Sequence, residues 1–201
     1  MMIRGVLGGS FDPVHRGHVE MARYVLERGL CETLHVVPAW RSPLKSGTVA
    51  LPGQRMAMVQ LAFKDIPDLL IDAREMGRDG PSYTVDTLIS LHQEFPSDHL
   101  LLIMGADSLR DFSRWKDPEG IARLASLAVL SRRSENPAET GARPVLPRDL
   151  RVVHYPDFHQ PVASRDIRAM LQGTREQRTQ GLGQLPPPVA NYIQQENLYR
   201  D

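Results

Sequence analysis

The run Gly8-Gly9-Ser10-Phe11-Asp12-Pro13-Val14-His15-Arg16-Gly17-His18 brings together residue types that can handle phosphate. It follows an apolar stretch, Ile3 to Leu7, and precedes an amphipathic one, so it reads as the turn from a strand into a helix. A glycine pair lets backbone approach a ligand closely. The first turn of a helix offers unpaired N–H groups and about half a positive charge, both of which attract phosphate. Two imidazoles three residues apart can donate hydrogen bonds to phosphoryl oxygens or carry a proton that offsets developing charge. Neither GxxxxGK[ST] nor GxGxxG occurs. Other readings stand beside this one: a plain Gly-Gly turn, histidines in solvent, or a metal pair for which only Asp12 offers a third local ligand.

Short apolar runs alternating with amphipathic ones must position these residues. Ile3 to Gly8, Leu34 to Pro38, Leu69 to Ala73, His99 to Gly105, Ser126 to Ser131 and the segment RVVHY (151–155) read as strands. Helices are expected from Arg16 to Arg28 with Gly29 as stop, across Met56 to Phe63, from Tyr83 to Glu94 with Ser82 as cap, from Ser164 to Leu171, and from Val189 to Glu196. The stretch from Arg132 to Arg148, rich in Pro and Gly, reads as an exposed loop. Strands alternating with helices at this spacing predict an α/β, doubly wound, mostly parallel sheet, and the near-continuous apolar strands fit coverage on both faces. In such sheets ligands bind outside the carboxyl ends of the strands. The expected organisation is a single domain over residues 1–201, with 162–201 as a C-terminal helical portion.

Composition narrows the class. The chain has 201 residues, 24 Lys+Arg against 24 Asp+Glu, and 41% hydrophobic residues. That length is ample for a buried core. Zero net charge removes the compositional argument for a nucleic-acid or anionic-membrane partner. The lone Cys31 excludes an intrachain disulfide framework and a cysteine-based zinc site. No apolar stretch reaches the roughly 18 residues of a membrane span, and MMIRGVLGGSFDP lacks a signal-peptide pattern, so a cytoplasmic protein is expected. A homo-oligomer is compatible with the sequence, which carries no signal for or against it.

The run GGSFDPVHRGH resembles the GG[ST]FDPxHxGH segment of the nucleotidyltransferases, and three further segments narrow the likeness. Gly80-Pro81-Ser82-Tyr83-Thr84-Val85-Asp86-Thr87-Leu88 is similar to the SYTxDTL segment of bacterial nicotinate-nucleotide adenylyltransferases. Gly105-Ala106-Asp107 followed by Trp115 resembles their GAD…W segment, and Pro188 to Tyr199 resembles their ending. The likeness covers nearly the whole chain, with the motifs in the right order.

The resemblance implies a Rossmann-like nucleotidyltransferase that transfers AMP from ATP to nicotinate mononucleotide, giving deamido-NAD and pyrophosphate with Mg²⁺ bound mainly through ATP phosphates. The acceptor phosphate would attack the α-phosphorus directly, with no covalent protein intermediate. By the same resemblance His18 would stabilise charge growing on the α-phosphate and His15 would help hold the phosphates. Gly8, Gly9, Ser10, Phe11, Lys45, Gly105 and Asp107 would line ATP. Val162 to Arg168 sits where the family carries ISSTxIR; Ser164 and Arg168 match and would hold the β- and γ-phosphates, whereas Ala163 and Arg165 replace a serine and a threonine. Trp115 would stack on the pyridine ring, and the amides near Tyr83 and Thr84 would meet its carboxylate. Ala39 and Leu44 depart from the family's PN…PPHK loop, which leaves nicotinate against nicotinamide preference open.

Three other readings compete: a relative with another acceptor (nicotinamide mononucleotide, phosphopantetheine or FMN), a weakly active nucleotide sensor, and a scaffold with an idle site. Length and the Ser82 to Thr84 segment speak against a phosphopantetheine acceptor. Met56, Met58, Cys31, the Arg132-Arg133 pair and the Pro186 to Pro188 run read as structural or solvated.

Overall fold

The structure is a computed structural model that describes residues 1–43, 49–78, 80–131, 145–158 and 162–200. The apolar runs form six strands: β1 (Ile3–Gly9), β2 (Thr33–Pro38), β3 (Leu69–Ile71), β4 (His99–Gly105), β5 (Ala125–Leu130) and β6 (Val152–Tyr155). Between and after them lie α1 (Arg16–Glu27), α2 (Pro52–Phe63), α3 (Thr84–Glu94), α4 (Ala106–Arg110), a 3-10 turn (Phe112–Arg114), α5 (Pro118–Leu124), α6 (Ser164–Gln172), α7 (Arg175–Gly183) and α8 (Pro187–Gln195).

Neighbouring strands run β3-β2-β1-β4-β5-β6, and every pair is parallel. The sheet is thus wholly parallel where the sequence predicts a mostly parallel one. Strand order reverses between β1 and β4, whose carboxyl ends open the crevice where such sheets bind ligands. Alternation along the strands builds two cores. Leu7, Val36 and Ile103 face one layer that contains Ala22, Val59, Ile167 and Val189 of α1, α2, α6 and α8. Val6, Val37 and Leu102 face the other, with Leu88 of α3, Ile121 of α5 and Phe112. Gly5 pairs with Leu34 on one side and Leu101 on the other. A Cβ there would lie 2.7 Å from Cys31 Sγ and 2.9 Å from Leu34 Cδ1, so any larger residue would have to displace these buried side chains.

Several boundaries follow local chemistry. Gly29 adopts φ 63° just beyond α1, and the N–H of Leu30 reaches back to the Val25 carbonyl at 2.9 Å, a glycine-terminated helix end. Pro52 opens α2, and Pro187 and Pro188 open α8, positions where a missing N–H costs nothing. Ser82 does not cap α3 as the sequence predicts: the N-cap is Tyr83, and the Ser82 hydroxyl accepts from the Trp40 N–H at 2.9 Å. β3 stops at Ile71, two residues short of the expected end; the Asp72 N–H still donates to the Val36 carbonyl at 2.9 Å, and its carboxylate binds His35 and Arg74. Three helices rather than two close the described chain, α7 being the addition. The expected loop at 132–148 lies outside the described residues up to 144, and 145–151 is irregular.

Candidate active site

The turn after β1 is held from below. Arg55 of α2, fully buried, donates through Nη1 to the carbonyls of Ser10 (2.8 Å) and Ala39 (2.6 Å) and through Nη2 to that of Trp40 (2.9 Å). One guanidinium therefore ties the segment after β1 to the segment after β2. Burial lowers its pKa, and the Asp12 carboxylate pulls it back up.

Asp12 accepts from the N–H groups of Val49 (2.8 Å) and Ala50 (3.1 Å) and from the Tyr199 hydroxyl (2.6 Å). Burial and the Asp12 charge push the Tyr199 phenol up. With its oxygens engaged in this way, Asp12 is a structural anchor, and the metal-pair reading of the histidines loses its third ligand. Phe11, at φ 47°, folds its ring under Gly9, where an added Cβ would approach to 3.2 Å.

The two histidines meet at the start of α1. Their rings lie 3.8 Å apart at 32°, and Phe11 meets His18 edge-on at 4.9 Å. The His15 N–H donates to His18 Nδ1 at 3.2 Å. A neutral imidazole that accepts at Nδ1 carries its proton on Nε2, so the backbone fixes His18 as an Nε2–H donor. His15 is 5% exposed and supports this arrangement from behind.

A cleft of about 290 Å³ opens above the carboxyl ends of β1 and β4. Gly8, Gly9, Ser10, His18 and Gly105 line it together with Tyr83, Thr84 and Trp115. A Cβ on Gly8 or Gly105 would meet no protein atom within 4 Å, so the floor between these strands is flat. Trp115 rests on Phe112 with centroids 5.4 Å apart.

Other expected residues fall elsewhere. Phe11 and His15 lie behind the cleft, and Asp107 pairs with Arg110 on exposed α4. Ser164 Oγ donates to the Pro13 carbonyl at 3.0 Å, and Arg168 Nη1 donates to that of Asp12, so the start of α6 is fastened to the Asp12-Pro13 turn rather than to the cleft lining. Arg165 is exposed and lies 3.6 Å from Asp166. Lys45 and Leu44 lie outside the described residues.

Sequence reasoning missed Met21, Glu75, Ser108, Asp111 and Lys116, all of which line the cleft. Lys116 was findable as the neighbour of Trp115; it lies 4.6 Å over the Tyr83 ring and 3.1 Å from both Asp86 oxygens. Glu75 sits in a turn with no motif to mark it. It is 6% exposed, and burial pushes its carboxyl up against the opposing pull of the Thr87 and Ser82 hydroxyls.

Residues 6–172 match the cytidylyltransferase-like family. The chain belongs to that family. Within it, a probable nicotinate-nucleotide adenylyltransferase of Rhodopirellula baltica is 38% identical, covering 98% of this chain and 92% of the relative. Another from Bordetella avium is 35% identical over 98% of this chain and 97% of its own. The chain is therefore a member of the nicotinate-nucleotide adenylyltransferase branch of these nucleotidyltransferases. In fold it is similar to the Plasmodium falciparum nicotinic acid mononucleotide adenylyltransferase complexed with NaAD, with a TM-score of 0.82, 16% identity, and 99% and 98% of the two chains covered. Among the described residues no helix is long and apolar enough to cross a membrane.

Proposed function

We propose that this chain transfers AMP from ATP to nicotinate mononucleotide, releasing pyrophosphate and forming deamido-NAD by direct attack of the acceptor phosphate on the α-phosphorus. The observation that carries the reading is one cleft lined both by the His18 imidazole and by Trp115, Tyr83 and Thr84. A polyphosphate on the glycine floor and an aromatic acid beside the indole would meet between them.

In this reading the His18 Nε2–H donates to the α-phosphate oxygens as their charge grows, and His15 holds the imidazole in that tautomer through its N–H. Such transfers need positioning and charge neutralisation, and no nucleophile on the protein. The first-turn N–H groups of α6, with Ser164 and Arg168, would receive the β- and γ-phosphates beside the Asp12-Pro13 turn. Trp115 stacks on the pyridine ring, while the N–H groups at the start of α3 donate to its carboxylate. The triphosphate would carry Mg²⁺ bound mainly through its own oxygens, which would supply charge neutralisation.

Pyrophosphate release with ATP, Mg²⁺ and each acceptor in turn tests the reading. Turnover with nicotinate mononucleotide is expected. Turnover only with nicotinamide mononucleotide moves the acceptor assignment, and tight nucleotide binding without pyrophosphate makes the chain a sensor.

A further inference from the structure

Glu75 is a buried carboxyl whose contacts are hydroxyls. Thr87 Oγ1 donates to its Oε1 at 2.5 Å, and the Ser82 hydroxyl bonds the same carboxyl. The charged groups that bear on it are Arg78, which lowers its pKa, and Asp72, which raises it. Arg78 directs its own guanidinium at Thr87 Oγ1 (3.4 Å) and the Asp86 carbonyl (3.5 Å). Placing a carboxyl where an apolar side chain of equal size would pack more cheaply calls for a role that only an acceptor can fill.

That role lies in the direction of the hydrogen bonds. The Trp40 N–H donates to Ser82 Oγ at 2.9 Å, while the Ser82 N–H donates to the Arg41 carbonyl at 2.8 Å. Ser82 Oγ thus receives one proton from the segment after β2 and passes its own to Glu75. Three stretches converge on one carboxyl: the turn after β3, the start of α3, and the segment after β2. Glu75, Ser82, Tyr83 and Thr84 all line the cleft.

Resting on the acceptor assignment above, we propose that Glu75 is a positioning residue for the acceptor, fixing the Ser82–Thr84 backbone beside the pyridine ring through the hydroxyls of Ser82 and Thr87. It touches neither reacting phosphate. Its effect falls on acceptor recognition and on the discrimination of a ring carboxylate from a carboxamide, because loosened amides no longer demand an acceptor-only group.

Steady-state pyrophosphate release by Glu75→Ala and Glu75→Gln tests this. Glu75→Ala is expected to raise KM for nicotinate mononucleotide about tenfold, to leave KM for ATP within about twofold, and to cut the preference over nicotinamide mononucleotide about fivefold. Gln keeps an Oε1 acceptor for the two hydroxyls, so Glu75→Gln returns each value to within about threefold of wild type. Ser82→Ala, which keeps Glu75 in place, reproduces a smaller acceptor defect if Glu75→Ala fails to fold. Equal shifts in both KM values that track a lower melting temperature would overturn the proposal. Amide hydrogen exchange separates this failure from that of the functional reading. Faster exchange at Trp40 and Tyr83–Thr87 in Glu75→Ala is expected, and unchanged exchange overturns the proposal whichever acceptor the wild type uses. A wild type that releases no pyrophosphate overturns the functional reading alone.

Discussion

At the scale of single residues, the site depends on where protons are held. In the proposed transfer His18 acts as a donor, its other nitrogen being occupied by the His15 N–H, 3.2 Å away. Removing one such donor to a transition-state oxyanion costs on the order of 3 kcal/mol, so His18→Ala is expected to lower kcat about a hundredfold or more with an unchanged circular dichroism spectrum. His18→Asn keeps an acceptor for the His15 N–H yet lacks the imidazole, and equal loss in both variants, measured by pyrophosphate release, assigns the effect to the ring. Arg55 carries a different load. Arg55→Met leaves two buried carbonyls and one partly buried one without their donor and is expected to destabilise the protein by about 3 kcal/mol in urea unfolding. The histidine pair was legible because spacing alone puts both rings at one helix start. Arg55 and Glu75 were not, because their partners lie in other segments: carbonyls of the first two crossovers for one, hydroxyls of α3 and its approach for the other.

Elements show the same division. The strands were readable to within a residue or two at most ends because a parallel sheet covered on both faces needs unbroken apolar runs. α7, with the sequence REQRTQGLG, carries little apolar signal; it buries Gly181 against Met170 of α6, a contact between helices that no local pattern announces. α4 and α5 are too short for periodicity to register. Just beyond the short β3, Asp72 binds His35 of β2 and Arg74: burial works to raise its carboxyl, but these hydrogen bonds outweigh it and hold the pKa at about 2. The folded value lies below the usual value of about 3.9, so Asp72 contributes stability above that pH and loses it as pH falls through about 2, an effect on the order of 2 kcal/mol. Urea unfolding of wild type and Asp72→Asn at pH 7 and at pH 2.5 checks the sign, since the gap between them must narrow in acid.

The whole molecule is assembled around contacts that no window of sequence contains. The strand order, reversed between β1 and β4, puts Gly8 and Gly105 on one floor although about half the chain separates them, and only the topology reveals it. The longest of these links joins Tyr199 to Asp12, with the phenol donating to the carboxylate at 2.6 Å. Arg178 steadies the same segment through the carbonyls of Leu171, Leu198 and Tyr199. Tyr199→Phe removes one buried donor from a buried acceptor and is expected to cost about 1–3 kcal/mol by thermal or urea unfolding, with little change in secondary structure. This link also sets an order of events during translation. The turn that bears the histidines leaves the ribosome early, yet one of its clamps is encoded 187 positions downstream. The nascent polypeptide can lay down its first strands while the Asp12 end of that turn still lacks this clamp, which closes only once the distant tyrosine has emerged and swung back.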